Sequence, residues 1–219
     1  MRLLVSKEPL RRILKWMQRA LFACAILLLG YCAFAVMDAW NYQRRASADL
    51  DRLLSVPRPA SVGTLEPRSS GSAKRAPAMA GGLIGRMEIP RLRLSAMVAE
   101  GISKTTLRRA VGHIPGTALP GQSGNVGLAA HRDTFFRSLK DLRIKDEIEF
   151  STLGGDFRYE VESLKVVAPD NVAVLAPSHE NVLTMVTCYP FFYIGAAPRR
   201  FVVRARQVSP QAAPPSTVE

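Results

Sequence analysis

Cysteine is scarce, with three residues in a chain of 219. That number is too small for a disulfide scaffold. Histidine is equally rare, with three residues. Only one long apolar run is present, which excludes a polytopic membrane protein. No internal repeat is visible. Hydrophobic residues make up 47% and charged residues 22%. Those values sit near the globular average and exclude a collagen or a wholly disordered chain. Acidic residues are under-represented, and the formal net charge is +12. Such a balance invites a nucleic-acid partner, so where the charge sits decides its meaning.

Residues 1–19 carry six bases against one acid, or +5. Residues 20–80 carry seven against four, and residues 81–219 carry seventeen against thirteen. The excess is spread, and no nucleic-acid recognition module accompanies it. An uncharged apolar run, Ala20 to Met37, follows the basic head. Eighteen residues at a 1.5 Å rise span roughly 27 Å, close to the hydrocarbon thickness of a bilayer. Trp16 and Trp40 flank the run at interfacial positions. Residues 20–38 are therefore expected to be a transmembrane anchor. The basic head 1–19 is expected in the cytoplasm, with the rest exported through a single pass. Ala33-Phe34-Ala35 offers a signal-peptidase alternative, but the run is long for a signal core. Leu29-Gly30-Tyr31-Cys32 resembles a lipoprotein box, against which the bulky Tyr31 argues.

Residues 39–80 change character. Asn41 to Leu54 can continue as a polar helix, and prolines and glycines then punctuate a Ser/Ala/Arg-rich stretch. Such a segment buries too little apolar surface to offset its ordering entropy, so 39–80 reads as a flexible stalk. Residues 209–219 read as a disordered tail. The remaining domain, 81–208, is long enough for one core. Its β-type runs are Gly85–Pro90, Leu92–Val98, Asn125–His131, Glu147–Thr152, Arg158–Val167, Val182–Cys188 and Arg200–Val208. Short helical turns fit at Thr105–Val111 and Thr134–Leu139. Many short strands with Gly/Pro punctuation predict a mainly β barrel or sandwich.

Cys24 and Cys32 lie in the anchor, so Cys188 is the domain's only cysteine and has no partner for a disulfide within it. A buried, inert thiol is one reading. However, Tyr189-Pro190 ends the preceding β-run, which places Cys188 at a strand end beside a loop. A nucleophilic thiol needs a nearby base or cation. His131 ends the run Asn125–His131, and strand alternation puts the small Gly127 and Ala129 on its face. His113 reads as a loop residue and His179 as a turn residue, each exposed or structural. Arg200 opens the last strand, across an eleven-residue loop (Tyr189–Arg199) from Cys188. A hairpin-like return brings it back near the thiol, where it can meet an oxyanion. Glu147, Glu149, Glu160 and Glu162 alternate along strands, which reads as a solvated face rather than a metal site.

Leu183-Thr184-Met185-Val186-Thr187-Cys188 resembles the TLxTC signature of the sortases, with an arginine downstream. Leu128 to Phe136, containing His131-Arg132-Asp133-Thr134-Phe135-Phe136, resembles the histidine segment of that family. Cys-Tyr-Pro-Phe, His-Arg-Asp-Thr-Phe-Phe and the segment Gly112 to Gly121 are most similar to class D sortases. The resemblance covers about 86–207. It implies a closed eight-stranded β-barrel with short helices. It also implies Cys188 as nucleophile, His131 as acid/base and Arg200 as the arginine, with Arg199 in reserve. Ala129, Thr187 and Tyr189 are the expected substrate-contacting positions.

The activity so implied is a membrane-anchored cysteine transpeptidase. It cleaves an LPxT-type sorting motif of exported proteins through a thioester and transfers the product to an amine of the cell envelope or a protein. The apolar segment Phe191–Ile194 would shield the thioester. No metal or cofactor is expected, with calcium dependence left open. A cysteine hydrolase on the same residues and an inactive peptide-binding barrel are the alternatives. An L,D-transpeptidase lacks support, because its His-Gly-Cys segment is missing.

Overall fold

The first helix is long because nothing breaks it. Pro9 sits in its first turn, where proline is tolerated, and no further proline or glycine pair interrupts the chain until Pro57. In the computed structural model, which describes residues 7–55 and 82–208, α1 runs from Lys7 to Ser55. The chain divides into two units, parted after Asn41. The helical portion of the first unit exposes its large apolar side chains, among them Phe22, Leu27 and Leu29. It includes a stretch long and apolar enough to cross a membrane.

The second unit begins with the last turns of α1, where the polar helix that Asn41 to Leu54 could continue does form. This start of the expected flexible stalk is instead packed. Ala46 and Leu50, one helical turn apart, are buried with Leu83 and Met97. Gln43 Nε2 donates to the Arg109 carbonyl at 2.7 Å, and its Oε1 accepts from the Met97 N–H at 2.8 Å. Arg86 reaches Asp51 at 3.1 Å. The rest of the expected stalk, 56–81, and the expected tail, 209–219, lie outside the described residues, as do 1–6.

Eight strands follow: β1 Leu83–Ile89, β2 Leu94–Glu100, β3 Val111–His113, β4 Asn125–Ala129, β5 Glu147–Thr152, β6 Gly155–Val167, β7 Val182–Tyr189 and β8 Arg199–Val208. They close into a barrel in the order β1-β2-β3-β4-β7-β8-β6-β5. Burial alternates residue by residue along β1 and β5, as a wall with one inner face requires. Leu128, Ile148, Phe150, Leu183, Met185 and Val203 fill the interior and are essentially inaccessible.

Two pairings are parallel, β2 with β3 and β4 with β7. The first is bridged by α2, Lys104–Arg109, capped by the Ser103 hydroxyl at the Thr106 N–H. The helical turn expected at Thr134–Leu139 forms slightly later, as a 3₁₀ turn over Arg137–Asp141. β3 is the one strand the sequence did not suggest. His113, expected in a loop, lies in it and is buried at 2% exposure. Its Nδ1 sits 2.9 Å from Glu100 Oε2 and its Nε2 sits 2.9 Å from the Ala118 carbonyl oxygen. His113 is therefore a structural residue. The Arg91 guanidinium grips Asp146 through two contacts of 2.5 Å, tying the β1–β2 turn to the start of β5.

Candidate active site

Strand direction gathers the predicted residues. β4 and β7 are parallel, so their C-terminal ends share one rim of the barrel. β8 is antiparallel to β7, so its first residues return to that rim. The register pairs Cys188 with Arg200 across the β7–β8 ladder. It pairs Ala129 with Val186 across β4–β7. β4 ends at Ala129, and His131 follows two residues beyond it, at the end of the barrel where β7 carries Cys188. Adjacent strands lie about 4.8 Å apart, so Cys188 and Arg200 are neighbours in one row, and the chain that carries His131 leaves β4 at the same rim. Below it lies a second row, Ala129, Val186 and Val202, and below that Gly127, Thr184 and Arg204.

The backbone under His131 is held from several sides. Ala130 N–H donates to the Val186 carbonyl at 3.4 Å, and the Thr187 hydroxyl donates to the Ala130 carbonyl at 2.8 Å. The His131 carbonyl accepts from the N–H groups of Thr134 and Phe136. Phe136 is fully buried in the core and so anchors the turn. The His131 side chain is exposed and that of Cys188 half-buried. A fixed backbone thus presents an exposed imidazole at the rim that carries the half-buried thiol. Cys188 is in no disulfide, nor are Cys24 and Cys32 in α1.

Arg200 is half-buried, and its Nη1 donates to the Ala197 and Arg199 carbonyls at 3.3 and 3.1 Å. Arg199 pairs with Tyr189 and is exposed, one position removed from the thiol. Ala129 lies half-buried in the row beneath His131. The other two expected substrate contacts are placed differently. Thr187 is buried at 3% exposure, with its hydroxyl occupied by Ala130. Tyr189 stacks on Phe201 and meets Phe191 edge-on, with centroids 6.4 and 6.1 Å apart. Phe191 and Phe201 pack against the core, so this aromatic group belongs to the barrel interior. Alternation explains both outcomes: the neighbours of an outward-facing Cys188 must face inward.

The outer face beneath the reactive row is covered by the segment between β6 and β7. Asn125, buried at 3%, donates to the carbonyls of Val174 and Ala176 at 3.2 Å each and accepts from the Thr184 hydroxyl at 2.7 Å. A Cβ on Gly127 would lie 2.9 Å from Thr117 Cγ2 and 3.2 Å from Leu175 Cδ2. Only glycine admits that approach. Between this segment and the sheet lies a cleft of about 470 Å³, lined by Val167, Thr184, Val202 and Arg204 among others. Among the described residues no group of three or more His, Cys, Asp or Glu is placed to hold a metal ion.

Sequence reasoning missed Asn125 and Arg132. Asn125 opens an apparently ordinary strand. Arg132 sits inside the quoted histidine motif, and its position there was the only available signal.

A closed eight-stranded barrel carrying cysteine, histidine and arginine at one rim is the frame of a cysteine-dependent acyl-transfer enzyme. The sortase domain profile matches residues 87–208, and the chain belongs to the sortase family of cysteine transpeptidases. It is 28% identical to Sortase D of Bacillus subtilis (strain 168) over 193 residues, covering 86% of this chain and 96% of that protein. The structure of a Clostridium perfringens Sortase D5 transpeptidase superposes with a TM-score of 0.54 at 30% identity, covering 58% of this chain and 79% of that one. Streptococcus agalactiae sortase C1 gives 0.55 at 31% identity, covering 58% and 68%. The class D resemblance and the barrel expected from the sequence both stand.

Proposed function

We propose that this sortase is anchored by α1 with its barrel outside the cytoplasmic membrane and acts on exported proteins bearing an LPxT-type motif. The observation that carries the reading is the pairing of Cys188 with Arg200 across β7–β8, with His131 two residues beyond the end of the neighbouring β4. The basic head and the exposed apolar run of α1 support the topology.

In this mechanism the Cys188 thiolate attacks the carbonyl carbon of the motif's threonine. The oxyanion that forms is met by the Arg200 guanidinium. His131, as imidazolium, gives its proton to the departing amine, and the C–N bond breaks to leave a thioester on Cys188. Neutral His131 then takes a proton from an incoming amine. The amine attacks the thioester, a new amide forms, and the thiolate leaves. The peptide upstream of the threonine occupies the cleft below the reactive row. Val167, Val202 and Thr184 on its sheet side accept an extended chain. The expected shield is only partly realised, since Phe191 packs inward while Phe192 and Ile194 face solvent.

Product analysis tests the reading. The full chain in detergent is incubated with an LPxT-type peptide, with and without an added amine. A ligated product that depends on the amine is expected. Cleavage to the free acid alone, whatever amine is added, would replace the transpeptidase with a hydrolase. No cleavage and no adduct would leave a peptide-binding barrel.

A further inference from the structure

Arg132 follows the acid/base histidine, yet its guanidinium faces the loop that joins the nucleophile to the arginine. Nη1 donates to the Pro190 carbonyl at 2.9 Å. Nη2 donates to the carbonyls of Tyr193 and Gly195 at 2.6 and 3.2 Å. Its central carbon lies 5.8 Å from the centre of the Tyr193 ring. All four contacts fall within residues 190–198, between β7 and β8. From the far side Arg200 takes the carbonyls of Ala197 and Arg199. Five carbonyls of one loop and its edge are thus gathered by two guanidinium groups.

The loop tip contributes little burial of its own. Phe192 is 77% exposed and Ile194 fully so. A loop without a packed tip needs polar ties to keep one conformation. Arg132 supplies them, and the planar fork suits several carbonyls at once in a way an ammonium does not. The same residue is covalently joined to His131. One side chain therefore links the imidazole's backbone to the loop that starts two residues beyond Cys188.

We propose that Arg132 is a positioning residue that locks the β7–β8 loop to the chain carrying His131. The locked loop favours capture of the thioester by an amine over capture by water. In the first case the C–S bond breaks as a C–N bond forms, giving an amide and the thiol. In the second a C–O bond forms, giving a carboxylic acid and the thiol. This second clause rests on the thioester reading above, whereas the lock itself does not.

The test compares wild type, Arg132→Ala and Arg132→Lys, each as the full chain in detergent. Amide hydrogen exchange is followed at 190–198, with β5 and β6 as internal controls for folding. Loss of these hydrogen bonds should speed exchange in the loop about tenfold or more and leave the controls unchanged. With a Leu-Pro-Ala-Thr-Gly peptide and triglycine, Arg132→Ala should raise the ratio of hydrolysis to transfer about tenfold. The KM for triglycine should rise, while that for the peptide stays within about twofold. Arg132→Lys should resemble the alanine variant, because charge alone does not rebuild the fork. Unchanged loop exchange in Arg132→Ala, or full rescue by lysine, overturns the lock. A loosened loop with an unchanged ratio overturns the catalytic clause. If the wild type itself turns over no peptide, the transpeptidase reading fails, and loop exchange alone judges the lock.

Discussion

The β4–β7–β8 side of the barrel and the β1–β2–β5 side both gather polar side chains, but they use them differently. On the β1–β2–β5 side, polar groups close on one another. Gln43 saturates two backbone groups, and Arg91 forks onto Asp146, which also accepts from the Arg143 N–H at 2.7 Å. On the β4–β7–β8 side the closed bonds belong to neighbours of the proposed reactive residues, Thr187, Arg132 and Asn125. His131 stays exposed and Cys188 half-buried. A reactive group must remain available to substrate, so residues adjacent in sequence or register do the holding. Variants on the two sides should separate accordingly, one set losing activity at constant stability and the other the reverse.

The sharpest contrast comes from the reactive row. Cys188→Ala should lower turnover by on the order of 10³-fold or more. His131→Ala should cost roughly 10²–10⁴-fold and Arg200→Ala roughly 10²–10³-fold. Melting temperatures should stay near wild type. Arg199→Ala should change turnover by no more than about twofold. Loss in Arg199→Ala with retention in Arg200→Ala would reassign the arginine.

Asn125 tests whether the division is clean, because it holds the cleft's roof yet touches no reactive group. Asn125→Ala leaves the Val174 and Ala176 carbonyls and the Thr184 hydroxyl without their partner. A loss of about 2–3 kcal/mol is expected, readable as a melting shift of roughly 10 °C. The KM for peptide should rise with it. A stability loss with an unchanged KM would move Asn125 to the purely structural side.

Asp146 brings pH into the comparison. The Arg91 hydrogen bonds and the Arg143 N–H hold its carboxyl below the usual range, outweighing the burial that pushes the other way. The sign follows from linkage. A carboxyl depressed in the fold stabilises above its unfolded pKa of about 3.9, and that stability is lost as pH falls through the lower folded value. Asp146→Asn should therefore cost about 1.5–3 kcal/mol at neutral pH. The gap to wild type should close below roughly pH 4, and peptide turnover at neutral pH should be retained. A gap that does not change with pH would remove the charge from the explanation.

The smallest effect expected is at the docked helix. Gln43→Ala should cost about 1–2 kcal/mol with no change in turnover. A change in turnover would mean that the two sides communicate.

Much of this was legible in the sequence because it depends on local pattern. Glu147–Thr152 is a strand with the bounds its alternation predicted. Cys188 lies one residue before the strand end that Pro190 imposes. The row itself follows from strand direction, which motif order and the family resemblance anticipate. What stayed hidden depends on distant partners. β3 has three residues, too few to show a period, and exists because it pairs with β2 and β4. His113 is buried because Glu100, Thr117 and Ala118 meet its ring. The helical start of the stalk offers only Ala46 and Leu50 to a core, and what they pack against begins more than thirty residues further on, at Leu83 and Met97. Thr187 and Tyr189 were expected to contact substrate, and alternation turns their side chains to the face opposite Cys188.

Intact mass of the full chain after brief exposure to an LPxT-type peptide tests the central claim most directly. The account predicts an added acyl mass on the wild type that hydroxylamine removes, and none on Cys188→Ala. An adduct that persists in Cys188→Ala, or one that resists hydroxylamine, would contradict it.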